Sequence, residues 1–188
     1  MQPPNEPTEA EIAKYTPRYN FARELNFEDQ WRGQWVEEDE LPENAPVNFA
    51  YAVVMRENRG YVTRNIGDEP WQTVETAVEI EDDSEAMIKE AVLQQTGASA
   101  SHVFLNGFFE CKATRHNTDF EIGTVRVRAL YTVAAGKIDD VPEGSNYQRR
   151  RLPVNEFTRA LKQRYPELVP YWRKAVDLYL VKEQQGEL

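Results

Sequence analysis

Apolar residues recur along this chain with two periods, two and 3.6, and the switches between them mark out its elements. Residues 47–56 carry Phe49, Tyr51, Val53 and Met55 on one side and Ala50, Ala52 and Val54 on the other, apolar on both faces as a central strand requires. The run ENRG at 57–60 provides a turn, and residues 61–64 the returning strand of a hairpin. An acidic stretch then leads into a helix. Asp82 is placed to cap it, with Glu85 three residues on as capping-box partner. Met87, Ile88, Ala91, Val92 and Gln95 follow at helical spacing until Gly97 ends it.

Residues 103–112 read as a strand with a bulge at Asn106-Gly107, and 113–121 as a loop. In the strand at 124–133, Val125, Val127, Ala129, Tyr131 and Val133 share one face, while Thr124, Arg126, Arg128, Leu130 and Thr132 share the other, from which Arg126 and Arg128 can meet an anionic ligand, neutralise the acidic loop before the helix, or stand as a solvent-exposed pair. An acidic loop at 137–144 precedes a short strand at 148–152 that carries Arg149, Arg150 and Arg151. Asn155 is placed to cap a helix with a buried stripe of Phe157, Leu161 and Tyr165. Pro166 stops it, and a second helix at 170–181 presents Trp172, Ala175, Val176, Tyr179 and Leu180.

Ahead of all this, residues 1–17 are rich in Pro and Glu and predict a loosely attached tail. Tyr15, Tyr19, Phe21, Leu25, Phe27, Trp31 and Trp35 then interleave with charges, a density that implies packing. The alternatives are an arm over its own sheet, over a ligand cleft, or against a second copy. Residues 37–46 form an acidic connector. The predicted organisation is a tail and aromatic arm at 1–46 and one domain at 47–188 with a helical C-terminal extension.

Composition narrows the chemistry. The 188 residues suffice for a core without disulfides. The single Cys, Cys111, lies in an apolar run and reads as a small buried side chain rather than a nucleophile. His102 and His116, its only candidate bases, have no orienting carboxylate at motif spacing. No Cys/His zinc set can be assembled, no apolar run approaches the length of a membrane span, and no secretory pattern opens the chain, so the expected location is cytoplasmic. The net charge of −10 is uneven: residues 1–45 hold 11 acids and 4 bases, residues 68–95 hold 9 acids and 1 base, and the remainder is +5. Nucleic-acid binding, which draws on a basic surface, is disfavoured and would be confined to Arg149, Arg150 and Arg151.

The helix and the loop before it carry a family resemblance. Read from its right-hand end, the stretch 71–98 resembles the Nudix box, whose form is Gly, five residues, Glu, seven residues, Arg-Glu-apolar-x-Glu-Glu-x-Gly-apolar. Thr96, Gly97 and Ala98 fit the ending, Val92 the internal apolar position and Asp82 the first Glu, while Val78-Glu79 and Trp71 match common flanking residues. The frame fits without a gap and covers roughly residues 47–165. The resemblance implies a Nudix-like α+β fold, a mixed sheet sandwiched between helices.

The residues that bear the family's chemistry are replaced. Glu75 and Thr76 stand at the two glycines, Glu90 at the Arg, Ala91 at the next Glu, and Gln94 and Gln95 at the Glu-Glu pair. In an active member those three glutamates converge on one helix face to hold magnesium against a diphosphate, and Ala, Gln and Gln lack the charged oxygens the ion requires. The expectation is a protein that no longer hydrolyses and binds a nucleotide-like small molecule or a protein partner, with no cofactor and homodimerisation left open. Trp71 would stack on a flat group, with Arg64 or Arg126 near a phosphate. The competing expectation is a magnesium-dependent diphosphate hydrolase with relocated ligands drawn from Glu79, Asp82, Glu90 and Glu121. It faces a geometric objection, because Glu90 lies about 100° of helix from the face of Ala91 and Gln95.

Overall fold

The computed structural model describes residues 15–17, 24–67 and 69–188. Its strands are β1 (Leu25–Phe27), β2 (Trp31–Val36), β3 (Val47–Arg56), β4 (Arg59–Asn65), β5 (Val74–Ala77), β6 (Ala98–Ala113), β7 (Val125–Ile138) and β8 (Tyr147–Pro153). Its helices are α1 (Ser84–Thr96), α2 (Val154–Leu161) and α3 (Val169–Gln184). The strands form one mixed sheet in the order β1-β2-β6-β7-β3-β4-β8, with β5 also paired to β3. At its centre β3 runs parallel to β7, and the other pairings are antiparallel.

The alternation read in the sequence assigns the two cores. Tyr51, Val53 and Met55 of β3 and Leu130 and Ala134 of β7 pack with α2 and α3 through Phe157, Leu161, Trp172 and Val176. Ala50, Ala52 and Val54, with Val127, Ala129, Tyr131 and Val133, pack on the opposite face with Ile88, Ala91 and Val92 of α1. The sheet is thus sandwiched, as expected. Thr132 is the polar exception on the first face, and its hydroxyl donates to the Ala175 carbonyl at 2.7 Å.

Three local expectations are corrected. Asp83, not Asp82, caps α1, its carboxylate accepting the Glu85 N–H at 3.1 Å, so the helix begins one residue later. Asn155 lies inside α2, which starts directly after Pro153 without a side-chain cap. β6 and β7 extend well past the residues whose alternation is clear, to 16 and 14 residues. The predicted bulge in β6 is present as a register shift between Leu105 and Gly107.

The aromatic arm adds two strands to the sheet edge beside β6, where Leu25, Phe27 and Trp31 are buried with Phe109 and the α3 side chains. Tyr15 is buried on the α1 side, its hydroxyl donating to the buried Glu110 carboxylate. The tail at 1–14 and the arm residues Tyr19 and Phe21 lie outside the described residues. No helix among the described residues is long and apolar enough to cross a membrane.

Gly97 ends α1 in the left-handed region, at φ 76°, and a Cβ there would run into the carbonyl oxygens of Asp139 and Asp140. Both effects oppose a side chain. Gly97→Ala is expected to lower stability by about 2 kcal/mol or more in urea denaturation, from left-handed strain plus backbone displacement.

Candidate functional site

On α1 the three positions at issue are Ala91, Gln94 and Gln95, of which only Gln94 is exposed. Ala91 is buried against the sheet. Gln95, also buried, donates its amide Nε2 to the backbone carbonyl of Glu75 on β5 at 2.9 Å. Its Oε1 is buried without a hydrogen-bond partner. Gln94 points away, donating to Glu90 Oε1 at 3.2 Å on the exposed surface.

The Glu75 side chain turns in the opposite direction. Its carboxylate accepts from the Arg164 guanidinium and, at 2.6 Å, from the Tyr165 hydroxyl. Both partners come from the chain that leaves α2. Burial disfavours the Arg164 charge, but Glu75 more than offsets this and holds its pKa above the ordinary value. Tyr165 is pushed well up by burial and further by the Glu75 carboxylate, so it stays a neutral donor.

A cleft of about 710 Å³ opens beside this pair, lined by Phe27, Phe49, Tyr51, Glu75, Arg128 and Arg164 among others. A smaller, polar cleft of about 430 Å³, reaching Thr76 and Gln95, shares Phe49, Glu75 and Arg164 with it. Arg128 projects from β7, its Nη1 donating to the Tyr51 hydroxyl at 2.7 Å. Its guanidinium lies 4.8 Å from the Phe27 ring centre and 4.9 Å from that of Phe49. Burial pushes Tyr51 up to about 12, with the Arg128 charge opposing. Burial likewise pushes the Cys111 thiol up to about 12.

The residues singled out in the sequence are placed as follows. Arg64 stacks 4.0 Å over the Trp71 ring and bonds Gln148 through Nε at 2.7 Å, and neither Arg64 nor Trp71 lines either cleft. Arg126 is buried, donating to the Val125 carbonyl at 2.7 Å and lying 4.8 Å from the Phe120 ring centre. Its neighbour on the same face, Arg128, reaches the larger cleft instead. Glu79, Asp82, Glu90 and Glu121 are all exposed. Among the described residues no three His, Cys, Asp or Glu side chains are grouped so as to hold a metal ion. Of the arginine run, Arg149 donates to the Thr96 and Asp139 carbonyls at the end of α1, and Arg151 pairs with Glu57 at 3.0 Å. Those contacts leave Arg150 alone of the three as a plain surface cation.

Arg128 was named with Arg126 as a cation that can meet an anionic ligand from this strand face, and it is the one of the two that lines the cleft; Glu75 as an ion-pair partner was not selected by sequence. Strand alternation does put Arg126 and Arg128 on one face, which is the signal available for Arg128. Nothing local links Glu75 to Arg164, because the two are 89 residues apart.

No family model and no curated protein matches the sequence. Solved structures do. A mutant of the Bacillus subtilis pyrophosphohydrolase BsRppH superposes with a TM-score of 0.60 at 16% identity, covering 84% of this chain and 97% of that one. A Nudix hydrolase from Nitrosomonas europaea superposes with a TM-score of 0.52 at 16% identity, covering 70% of this chain and 89% of that one. The fold is therefore that of Nudix hydrolases.

Two outcomes follow from the buried groups. Tyr51 and Cys111 hold their protons to about pH 12 in the folded chain, against ordinary values of 10.0 and 9.0. The unfolded chain thus binds fewer protons above pH 9, and stability falls as pH rises from there toward 12, by at most about 1.4 kcal/mol per unit for each group. Urea midpoints at pH 8 and 10 should drop less in Cys111→Ala than in the unmodified protein. Separately, Arg164→Met leaves the Glu75 carboxylate without its cation and is expected to lower stability by about 2 kcal/mol, with Glu75→Gln in the same chain restoring part of the loss.

Proposed function

We propose that this protein is a Nudix-fold binding module that has lost diphosphate hydrolysis and takes an anionic, nucleotide-like small molecule in the cleft beside Glu75. The observation that carries the reading is the hydrogen bond from Gln95 Nε2 to the Glu75 carbonyl. A donor faces an acceptor there, so the contact is complete without a cation. Magnesium needs several hard, preferably charged oxygens in octahedral array. At this face Ala91 supplies none, the Glu75 carbonyl already accepts an N–H, the Glu75 carboxylate is held by Arg164 and Tyr165, and Gln95 Oε1 is neutral. That donor set does not fit the ion, and no hydrolytic step is derived through it.

The solved structures of the same fold are hydrolases by name, and the competing reading would carry that activity here through Glu79, Asp82, Glu90 and Glu121. All four are exposed, and no grouping among them supports it. The test is phosphate release from a panel of dinucleoside polyphosphates and sugar nucleotides with magnesium or manganese, paired with calorimetry of the metals alone. The unmodified protein is expected to show neither turnover nor metal binding. Ala91→Glu, Gln94→Glu and Gln95→Glu together should bind manganese, because the helix spacing is already correct. Turnover by the unmodified protein that EDTA abolishes overturns the proposal.

A further inference from the structure

The cation at the floor of the larger cleft is held in an unusual setting. Arg128 makes one side-chain hydrogen bond among the described residues, and its acceptor is the neutral Tyr51 phenol, not a carboxylate. Phe27 and Phe49 lie against the guanidinium, their ring centres 4.8 and 4.9 Å from its Cζ. Among the described residues nothing accepts from its Nε or Nη2, and neither atom is sealed from solvent, which leaves these donors available from the cleft. Three carboxylates line the cleft, Glu28, Glu75 and Glu167; Glu75 is engaged by Arg164 and Tyr165, and Glu167 accepts the Asn26 N–H at 2.9 Å. Glu28 attracts Arg128 from the exposed rim without hydrogen bonding to it.

Among the described residues no carboxylate hydrogen-bonds this half-buried guanidinium, and the partner that matches its free in-plane donors is a planar or tetrahedral oxyanion that accepts two parallel N–H bonds. The surrounding wall of Phe27, Phe49, Tyr51 and Tyr165 suits a flat apolar body, and a volume of about 710 Å³ is of small-molecule size. Phe27 belongs to the N-terminal hairpin rather than to the stretch that resembles the Nudix unit. Gly33 on the paired strand makes room for it, since a Cβ there would meet the Phe27 ring at 2.6 Å.

We propose that Arg128, clamped by Phe27 and Phe49 and tied to Tyr51, is an oxyanion subsite. It binds, without metal, the carboxylate or phosphomonoester of a small molecule with a flat ring. This rests on the binding reading of the same cleft, and it adds the ligand class and a role for the N-terminal hairpin. Arg128 binds through Nε–H and Nη2–H, the ring of the ligand lies among the aromatic side chains, and Phe27 acts as a positioning residue.

The experiment uses the full chain, ¹⁵N-labelled, in EDTA, with phenyl phosphate, benzoate and neutral benzyl alcohol as probes. The Arg128 Nε–Hε resonance, assigned by its disappearance in Arg128→Lys, is expected to shift and saturate with at least one of the two anions and not with the alcohol. A response to phenyl phosphate alone or to benzoate alone identifies which oxyanion the subsite prefers, and either upholds it. Calorimetry should show binding weakened roughly tenfold or more in Arg128→Gln, and to a smaller degree in Phe27→Leu, which keeps the charge but loses the ring. No shift with either anion, or an equal shift with benzyl alcohol, overturns the subsite even if Arg128→Gln does not fold, because the resonance is read in the unmodified chain. Metal-dependent turnover in a parallel EDTA-free sample overturns the non-hydrolytic reading while leaving an Arg128 shift in EDTA intact. Absence of that shift without turnover overturns this proposal alone.

Discussion

The parallel pairing of β3 with β7 constrains everything around it. A parallel pair at the centre of a sheet must be covered on both faces, and these two strands meet that demand by carrying apolar residues at successive positions. One set of side chains calls for α1, the other for α2 and α3. The β1–β2 hairpin extends the same sheet beyond β6, and its Phe27 reaches back to the end of β3 where Phe49 and Tyr51 emerge. The cleft therefore forms where the aromatic core runs out at the end of the central strand. Its floor is built from strand residues and its walls from the arm and the segment after α2.

Within that frame, the chemistry of the box face follows from what each polar group is already doing. The Gln95 amide is a donor, and the Glu75 carbonyl is the acceptor it finds. Glu75 carries a carboxylate, and Arg164 with Tyr165 absorbs its charge. The two sets of contacts meet at Glu75, through its backbone and its side chain respectively. Arg128 differs from Arg164 in that its hydrogen bond among the described residues goes to a phenol and not to a carboxylate.

Most of the fold was legible in the sequence because its signals are local. Period-two alternation in β3 and β7 named both cores, helical spacing and Gly97 defined α1, and Asn106-Gly107 marked the bulge. The capping errors at Asp82 and Asn155 are one-residue and two-residue offsets among several residues that can all cap, where local pattern cannot separate neighbours. The candidate site was less legible. Trp71 and Arg64 were assigned to a ligand on residue type; the guanidinium stacks on the indole, and neither lines the two clefts. Arg126 and Arg128 share a face, and only the tertiary position of Phe27 and Phe49 distinguishes the one that lines the cleft. Glu75 and Arg164 are joined by topology alone.

The central claim is that protein hydrogen bonds have taken the place of a cation between α1 and β5. Crystals grown without chelator and soaked in manganese test it directly through anomalous scattering. The account predicts no anomalous peak at coordination distance from Gln95 or the Glu75 carbonyl, with the Gln95 amide still donating to that carbonyl. A peak bridging Gln95 Oε1 and the Glu75 carbonyl, with the amide turned away, would contradict it.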